Sequence, residues 1–275
     1  MQISNSIDLI SVGYPGTAGP PNIYMIRGSE RAVFIDTGYG TENELTECVS
    51  AWTAKDSIPI AAIILTHRHT DHIGGANQLR SLVKGQTVCS KRELESIHKE
   101  NVTVDKTVED GETLSLGGAT LRFITTPGHT MGSLCILLEE SGILFTGDTV
   151  LGTGSVAISP DHGDLSKYLE SLERLIEIKP LSIAPGHGPM IDKPKTKLKW
   201  LISHREKREA QILSLLSEGI SKIDEFFENI YSSLKEDLHQ SAKNQIKCHL
   251  IKLAREGKVV SANPENGEYK LWRTK

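Results

Sequence analysis

Three histidines and one aspartate lie within six consecutive positions of the sequence. They belong to the segment 66–72, Thr-His-Arg-His-Thr-Asp-His, which directly follows an apolar run at 61–65. Neutral imidazoles and carboxylate oxygens are ligands for zinc, manganese and iron. Placing four such groups together in a protein interior is costly unless a cation lies among them. The segment therefore predicts a metal site that contains His67, His69, Asp71 and His72.

Three later segments each place one more candidate ligand beside a glycine, at the end of a predicted strand. They are 126–130 (Thr-Pro-Gly-His-Thr), 145–149 (Phe-Thr-Gly-Asp-Thr) and 184–189 (Ala-Pro-Gly-His-Gly-Pro). Loops at strand ends carry functional groups above a rigid sheet. We therefore expect the four segments to converge at one edge of the fold, which adds His129, Asp148 and His187 to the site.

The elements that must position these residues alternate between short strands and helices as far as residue 192. The hydrophobic pattern predicts strands at 7–12, 22–26, 32–35, 61–65, 120–125, 133–138, 142–145 and 182–184, and helices at 42–54 and 165–178. Strands mixed with helices in this way predict two sheets covered by helices.

The pattern changes in the last third of the chain. It predicts a long charged helix at 195–216, a second helix over 223–234 with a capping box at 221–224, and a third over 242–253 that ends at Gly257. Two strands at 259–262 and 269–272, joined by a turn at 263–267, then form a hairpin. This order resembles a winged helix, so we predict one domain at 1–194 and a second at 195–275.

The composition, with 38% hydrophobic and 24% charged residues, is that of an ordinary globular protein. No apolar run is long enough to cross a membrane, and the N-terminus lacks the pattern of a secretory signal. We therefore expect a cytoplasmic protein, with the mitochondrial matrix as the alternative for a eukaryotic source. The four cysteines are scattered, which argues against a zinc–thiolate site or a disulfide framework and predicts buried thiols.

Charge is distributed unevenly along the chain. Residues 193–275 contain 17 basic and 11 acidic residues, whereas the preceding 192 residues contain 14 and 24. A basic tail on an acidic body indicates a polyanionic partner, and Lys243, Lys247 and Lys252 are its candidate nucleic-acid contacts. The alternative is that these lysines lie on solvated helix faces.

The ligand segments carry a family resemblance. His-x-His-x-Asp-His, followed in order by Pro-Gly-His-Thr, Gly-Asp and Pro-Gly-His-Gly loops, resembles the metallo-β-lactamase superfamily over about residues 7–192. The resemblance implies a mixed α/β fold, a four-layer αββα sandwich. It also implies two metal ions, the first held by His67, His69 and His129, and the second by Asp71, His72 and His187, with Asp148 bridging both. Asp36 resembles the family's aspartate that braces the ligand loop; a turn-capping role is the alternative.

Two cations about 3.5–4 Å apart can share a hydroxide, lower its pKa and polarise the scissile bond. Asp71 is the one ligand that could also orient this nucleophile or pass on a proton, so it is the candidate catalytic residue. Zinc is the expected metal, with manganese and iron as alternatives. No serine, cysteine or lysine lies at a ligand position to act as a nucleophile.

Further motifs narrow the resemblance. Antibiotic-degrading enzymes of the best-known type use a cysteine ligand where this chain has Asp148, so β-lactamase activity is not expected. Segments at 147–154 (Gly-Asp-Thr-Val-Leu-Gly-Thr-Gly), 202–205 (Ile-Ser-His-Arg) and 249–253 (His-Leu-Ile-Lys-Leu) look like the β-lactamase-like protein 2 family. That family joins the hydrolase domain to a C-terminal winged helix, and its animal members are endoribonucleases that act on single-stranded RNA.

Three segments near the expected pocket depart from the family pattern. Residues 20–24 read Pro-Pro-Asn-Ile-Tyr, Arg68 replaces a tryptophan, and residues 131–133 read Met-Gly-Ser where the animal enzymes are more acidic. Arg68, with His162 and Asp164 in the loop after Asp148, is a candidate substrate contact; a polar surface loop is the alternative for the last two.

The sequence thus predicts a hydrolase that uses a metal-bridging hydroxide, with two substrate classes and one alternative reaction left open. An endoribonuclease or phosphodiesterase follows from the resemblance and the basic tail. Hydrolysis of a small thioester, ester or lactone, as in glyoxalase II-like enzymes and lactonases, fits the acidic body and the lack of an aromatic stacking platform that is expected from 5% aromatic residues. In such an enzyme the winged helix would cover the pocket or form the contact of a homodimer. An iron-dependent sulfur dioxygenase fits less well, because it needs only part of the ligand set.

Overall fold

The computed structural model describes residues 2–4, 6–12, 19–54, 58–263 and 268–271. Its first sheet has seven strands, which follow the chain in order across the sheet. They are β1 (Gln2–Ser4), β2 (Ile7–Ile10), β3 (Ile23–Arg27), β4 (Ala32–Ile35), β5 (Ile60–Leu65), β6 (Gln86–Ser90) and β7 (Lys106–Val108). Strands β1 to β4 pair antiparallel and β4 to β7 parallel.

The second sheet has five strands in the spatial order β12-β11-β10-β9-β8. They are β8 (Thr113–Ser115), β9 (Thr120–Thr125), β10 (Leu134–Leu138), β11 (Ile143–Gly147) and β12 (Ser182–Pro185). Only β11 and β12 pair parallel; the other pairs are antiparallel. Because β9, β11 and β12 consequently run in one direction, their carboxyl ends lie at the same edge of the sheet.

The central strands are buried on both faces, and alternate side chains enter different cores. In β4, Val33 and Ile35 contribute to the core between the sheets, whereas Ala32 and Phe34 pack under the helices of the first sheet. Those helices are α1 (Glu42–Thr53), α2 (Thr70–Ile73), α3 (Ala76–Val83) and α4 (Leu94–Lys99). On the second sheet a third core lies under α5 (Leu165–Ile178) and the first half of α6 (Pro194–Ser217). The predicted sandwich of two sheets between helices is confirmed.

The chain continues from α6 into a small helical unit with its own core. It comprises α7 (Ile223–Tyr231), a 3-10 turn at Glu236–Leu238, α8 (His239–Arg255) and the hairpin of β13 (Val259–Asn263) and β14 (Glu268–Leu271). The predicted end of α8 is confirmed: Gly257 has a φ of 70°, and the amide of Lys258 donates to the carbonyl of Leu253 at 2.9 Å. Residues 264–267 and Trp272 of the predicted hairpin lie outside the described residues.

Several predictions about local structure were incomplete. The second tail helix ends at Tyr231 rather than 234, and its start is stabilised by Glu225, whose carboxylate accepts from the amides of Ser221 and Lys222 at 3.1 Å, rather than by the predicted box. The glycines at 74–75 predict the start of a helix, and α3 begins at Ala76. The sequence pattern missed β1, β6, β7, β8, α2 and α4, which are three to six residues long and therefore too short for periodicity to distinguish them from loops.

Two expectations from composition also have an outcome. All four cysteines are free and buried, as predicted. No helix within the described ranges is both long enough and apolar enough to cross a bilayer.

Candidate metal centre

Strand register places the candidate ligands at one edge of the fold. Ile35 of β4 pairs with Ile64 of β5, so Asp36 lies beside the start of the segment 66–72. In the second sheet Gly147 pairs with Pro185, which places Asp148 next to Gly186 and His187. The loop after β9 brings His129 to the same edge. The predicted convergence of the four segments is therefore present in the structure.

The first group comprises His67, His69 and His129. Nε2 of His67 lies 2.9 Å from Nδ1 of His69, and Nε2 of His129 lies 3.0 Å from that same atom. Nδ1 of His129 donates to the carbonyl of Ala157 at 2.8 Å, so its Nε2 is unprotonated in the neutral ring. Three ring nitrogens that face one point cannot all be satisfied by the single proton of His69. A cation bound between them would satisfy all three.

The second group comprises Asp71, His72 and His187. Nε2 of His187 lies 3.0 Å from Oδ2 of Asp71, and Nε2 of His72 lies 3.7 Å from the same oxygen. Nδ1 of His187 is 3.3 Å from the carbonyl of Gly19, so its other nitrogen is directed at the group. These three side chains also lie close enough together to hold one metal ion.

Asp148 lies between the two groups. Its Oδ1 is 3.4 Å from Nε2 of His72 and 3.7 Å from Nε2 of His187, and it can share a metal ion with His67 and His72. Both Oδ1 of Asp148 and Nε2 of His72 are buried, and no hydrogen-bond partner serves either atom within the described part of the chain. Buried polar atoms are nearly always hydrogen-bonded, and a cation between these two would satisfy both. The donor set fits a divalent metal ion.

Both carboxylate oxygens of Asp36 contact the segment 66–72, as expected of an aspartate that braces the ligand loop. Its Oδ1 accepts from the amide of Thr66 at 2.8 Å, and its Oδ2 accepts from the Thr66 hydroxyl at 2.8 Å and from Nδ1 of His72 at 2.7 Å. Nδ1 of His67 in turn lies 3.0 Å from the Thr66 oxygen. One buried carboxylate therefore orients a ring from each group. Such outer bonds fix the tautomer and direction of a ligating histidine.

Asp36→Asn is expected to weaken metal binding about 10- to 100-fold, the range found for losing a partner of a metal ligand. The amide nitrogen would face donors on Thr66 and His72 instead of accepting from them. Competition with a chromophoric chelator measures the change. Asp105→Asn is the control, since Asp105 accepts from Arg80 and Thr87 away from the site. Unchanged metal affinity in Asp36→Asn would contradict this bracing role.

The surroundings of the histidines shift their pKa values in opposite directions. Burial, together with the neighbouring histidines, lowers the pKa of His67 well below its usual value and that of His69 to about 3. Burial also acts to lower the pKa of His72, but the carboxylates of Asp36 and Asp148 outweigh it and hold that pKa well above its usual value. The first group therefore keeps neutral imidazoles, the form that binds metal ions, at neutral pH.

The sequence did not reveal three residues that hold the loops in place. Asn22 donates to the carbonyls of Pro185 and Gly188 at 2.9 Å, and the Tyr24 hydroxyl donates to Pro185 at 2.8 Å, which fixes the segment that carries His187. Glu93 is buried and accepts from the amide of Arg68 at 3.0 Å. In the sequence, the only indication for Asn22 and Tyr24 is that they belong to the segment 20–24 near the expected pocket. No feature of the sequence indicates a role for Glu93.

The candidate substrate contacts have different surroundings. Arg68 is half-buried and donates to the Ser96 hydroxyl at 3.0 Å, and the His162 ring lies 5.4 Å from that of His69. The His162 ring therefore lies beside the first group, whereas the Arg68 side chain is held by α4. Asp164, in contrast, begins α5 by accepting from the amides of Ser166 and Lys167, and its other oxygen pairs with Arg255. Because its carboxylate is occupied in this way, we do not retain Asp164 as a substrate contact.

The candidate nucleic-acid contacts lie on α8. Lys252 is 12% exposed and pairs with Glu209 at 2.7 Å and Glu256 at 2.6 Å. Lys243 pairs with Asp224 at 2.7 Å. Lys247 is half-buried on the same helix. Carboxylates therefore neutralise two of the three lysines.

Comparison with known proteins agrees with this fold. Residues 16–187 match the family model of the metallo-beta-lactamase superfamily, and residues 223–268 match that of the beta-lactamase associated winged helix domain. The chain belongs to the metallo-β-lactamase superfamily, whose members are generally metal-dependent hydrolases, and it carries that winged helix domain.

Individual relatives narrow the comparison. The chain is 30% identical to the beta-lactamase-like protein 2 homolog of Caenorhabditis elegans, over 94% of this chain and 87% of the relative. It is 29% identical to the homolog of the same name from Drosophila melanogaster, over 92% and 88%. A metallo-beta-lactamase family protein from Thermus thermophilus has the same fold, with a TM-score of 0.81 at 22% identity over 98% of this chain and 99% of that one.

Proposed function

We propose that the chain is a hydrolase that works with two divalent metal ions, most simply zinc. The observation that carries the proposal is a pair of buried atoms at the junction of the two groups, Oδ1 of Asp148 and Nε2 of His72, which lie 3.4 Å apart and accept or donate no hydrogen bond within the described residues. Imidazole and carboxylate donors also accept manganese and iron. The proposed ligands are His67, His69 and His129 for one ion, Asp71, His72 and His187 for the other, and Asp148 for both.

Two bound ions would supply a water activated near neutral pH and a Lewis acid for the scissile group. Asp71 is the residue proposed to orient the attacking water and accept its proton. Its side chain is 22% exposed, more than that of Asp148 at 12%, so it reaches the open side of the site. The nearby hydroxyls of Thr66 and Thr149 are buried and engaged with Asp36 and Thr126, which removes them as nucleophiles.

Single-stranded RNA is the substrate class that we propose. A surface on α6, which we call the α6 platform, consists of Lys197, Trp200 and His204. Trp200 is 47% exposed, and its ring stacks on His204 with a centroid distance of 5.2 Å and an interplanar angle of 16°. Nζ of Lys197 lies 5.0 Å from the Trp200 ring. Exposed aromatic rings beside cations bind single-stranded nucleic acid by stacking and phosphate contact.

The α6 platform is connected to the metal centre. Lys197 donates to the carbonyl of Gly154 at 2.8 Å, in the loop that follows Asp148, and the amide of Gly152 in that loop donates to the carbonyl of His187 at 2.9 Å. No acidic residue occurs between positions 193 and 205. This cationic stretch supports nucleic-acid contact better than α8, where Lys243 and Lys252 are already paired.

Hydrolysis of a small thioester, ester or lactone is the second candidate. It is favoured by the carboxylate pairing of Lys243 and Lys252, which removes much of the positive charge that a nucleic-acid partner would need. The same two-metal arrangement would serve an acyl carbon as well as a phosphorus atom.

The test is a hydrolysis panel on protein of verified metal content: single-stranded RNA, a small phosphodiester, a thioester and a lactone. For RNA, Trp200→Ala should raise KM about 10-fold with little change in kcat, since a stacked base contributes about 1–3 kcal/mol. Lys197→Ala should also raise KM, because a phosphate contact is lost. Lys106→Ala, an exposed lysine on β7, is the matched control. Cleavage of the thioester or lactone without cleavage of RNA would select the second candidate and reject the first.

A further inference from the structure

The loop between β11 and α5 has two sets of contacts that face in opposite directions. Toward the metal centre, the carbonyl of Ala157 accepts from Nδ1 of His129 at 2.8 Å. The same loop holds the His162 ring 5.4 Å from that of His69. On the other side, the carbonyls of Val156 and Ile158 face the helices of the C-terminal part of the chain. The Ala157 carbonyl, which orients His129, therefore lies between the carbonyls of Val156 and Ile158, and both of these are held by the C-terminal helices.

The contacts from the C-terminal helices converge on those two carbonyls. The guanidinium of Arg205 on α6 donates to the carbonyl of Val156 and to Oε1 of Gln245 on α8. Nε2 of Gln245 donates to the carbonyl of Ile158 at 2.9 Å, and Sγ of Cys248 lies 3.3 Å from that oxygen. Arg205 and Gln245 are thus hydrogen-bonded to each other and to the carbonyls of Val156 and Ile158, on either side of Ala157.

Burying the charged side chain of Arg205 at this position costs free energy. It is 3% exposed, and no carboxylate of the described residues pairs with it; its guanidinium also lies over the ring of Tyr168, 5.5 Å from the centroid. A buried cation without an anion loses much of its favourable hydration, and neutral partners replace it only in part. An apolar residue would fill the same space at lower cost, so packing alone does not explain an arginine here.

We propose that Arg205 and Gln245 are positioning residues for the metal centre, and that the winged helix domain thereby forms part of its scaffold. By holding the carbonyls of Val156 and Ile158, they fix the direction of the Ala157 carbonyl between them. That carbonyl keeps the proton of His129 on Nδ1 and presents Nε2 to His67 and His69. The inference rests on the proposed metal-binding function. It also gives a role to the segment 202–205, which contributes no metal ligand.

The test measures Co²⁺ binding by the full-length protein, without any substrate. Arg205→Met and Gln245→Met keep the apolar part of each side chain and remove its polar end. Each should weaken Co²⁺ binding about 10-fold, the lower end of the range for partners of metal ligands. Each should also alter the visible absorption bands of the bound Co²⁺, because the ring of His129 changes its orientation. Arg205→Lys, which keeps the charge but cannot reach both partners at once, should bind with intermediate affinity.

Arg208→Met is the matched control. Arg208 lies one turn further along α6 and is half-buried, but it packs over the ring of Tyr231 at 4.2 Å rather than against the loop. It should leave both the affinity and the absorption bands within about twofold of the unsubstituted protein. Folded Arg205→Met and Gln245→Met proteins that bind Co²⁺ like the unsubstituted protein would overturn the inference; should Arg205→Met not fold, Gln245→Met decides. Failure of the unsubstituted protein to bind Co²⁺ would instead reject the proposed function.

Discussion

Asp148→Ala is expected to remove at least one metal ion per chain and to lower kcat/KM about a thousandfold or more. The carboxylate lies within 3.4–3.7 Å of His72 and His187 and can share an ion with His67, so its loss affects both proposed sites. Two-metal catalysis requires both ions at a fixed separation, and a single remaining ion would not replace this geometry. Elemental analysis and steady-state rates on the same preparation measure the two effects together.

The control for this prediction is Asp110→Ala. Asp110 is an exposed aspartate that pairs with Arg174 on α5, accepts from Thr125 at the end of β9 and belongs to neither of the two groups. It should keep its full metal content and nearly its full rate. Asp148→Asn keeps the volume but loses the charge and should be intermediate in metal content. An Asp148→Ala protein that retained two ions per chain and more than a tenth of the rate would show that Asp148 does not serve the metal centre.

Gly186→Ala is expected to disrupt the same centre without changing any ligand. A β-carbon at this position would lie 2.5 Å from Oδ1 of Asp148 and 2.8 Å from Cε1 of His72. Both neighbours are held from behind, His72 by Asp36 and the backbone around Asp148 by the pairing of β11 with β12. Because neither can move away freely, the methyl group would displace a ligand or occupy its metal-facing side. We expect at least a 100-fold loss of activity with reduced metal content.

Gly111→Ala is the comparison. Gly111 has a φ of 81°, so an alanine there is strained by about 1 kcal/mol, but the added methyl group meets no other atom within 4 Å. It measures the effect of backbone strain alone and should leave metal content unchanged. Thermal unfolding of both variants separates global destabilisation from a local effect. A Gly186→Ala protein as active as Gly111→Ala would mean that the ligands tolerate this displacement.

Much of the candidate site could be predicted because most of its proposed ligands lie close together in the sequence. Four of the seven proposed ligands lie in the segment 66–72, and each of the other three follows a strand with a glycine beside it. Strand ends and glycine are local signals, and parallel strands then bring such ends to one edge without further information. The two-sheet fold was predictable for the same reason, since its longer strands are continuous apolar runs.

The residues that support the ligands could not be predicted in the same way. Asn22 acts on a segment that lies more than 160 positions away, and Gln245 acts on Ile158 from 87 positions away. Nothing in the local sequence distinguishes such residues from other buried polar side chains. Their role depends on which elements become neighbours, which is a property of the assembled fold.

Charge counting was the least informative part of the sequence. The excess of basic residues after position 192 pointed to Lys243 and Lys252, but the fold pairs them with Asp224 and Glu209. A sum over residues cannot show such pairing. The α6 platform was missed for the opposite reason: a single tryptophan among lysines is not a pattern until Trp200 stacks on His204.

Stepwise restoration of metal to chelator-treated protein tests the two-metal proposal most directly. Activity on the best substrate of the hydrolysis panel should be absent without metal and should rise to a maximum as bound zinc approaches two ions per chain. Because the two groups share Asp148, one bound ion per chain should give only a small part of the final rate. Full turnover by metal-free protein, or a rate that is complete at one ion per chain, would contradict a two-metal hydrolase.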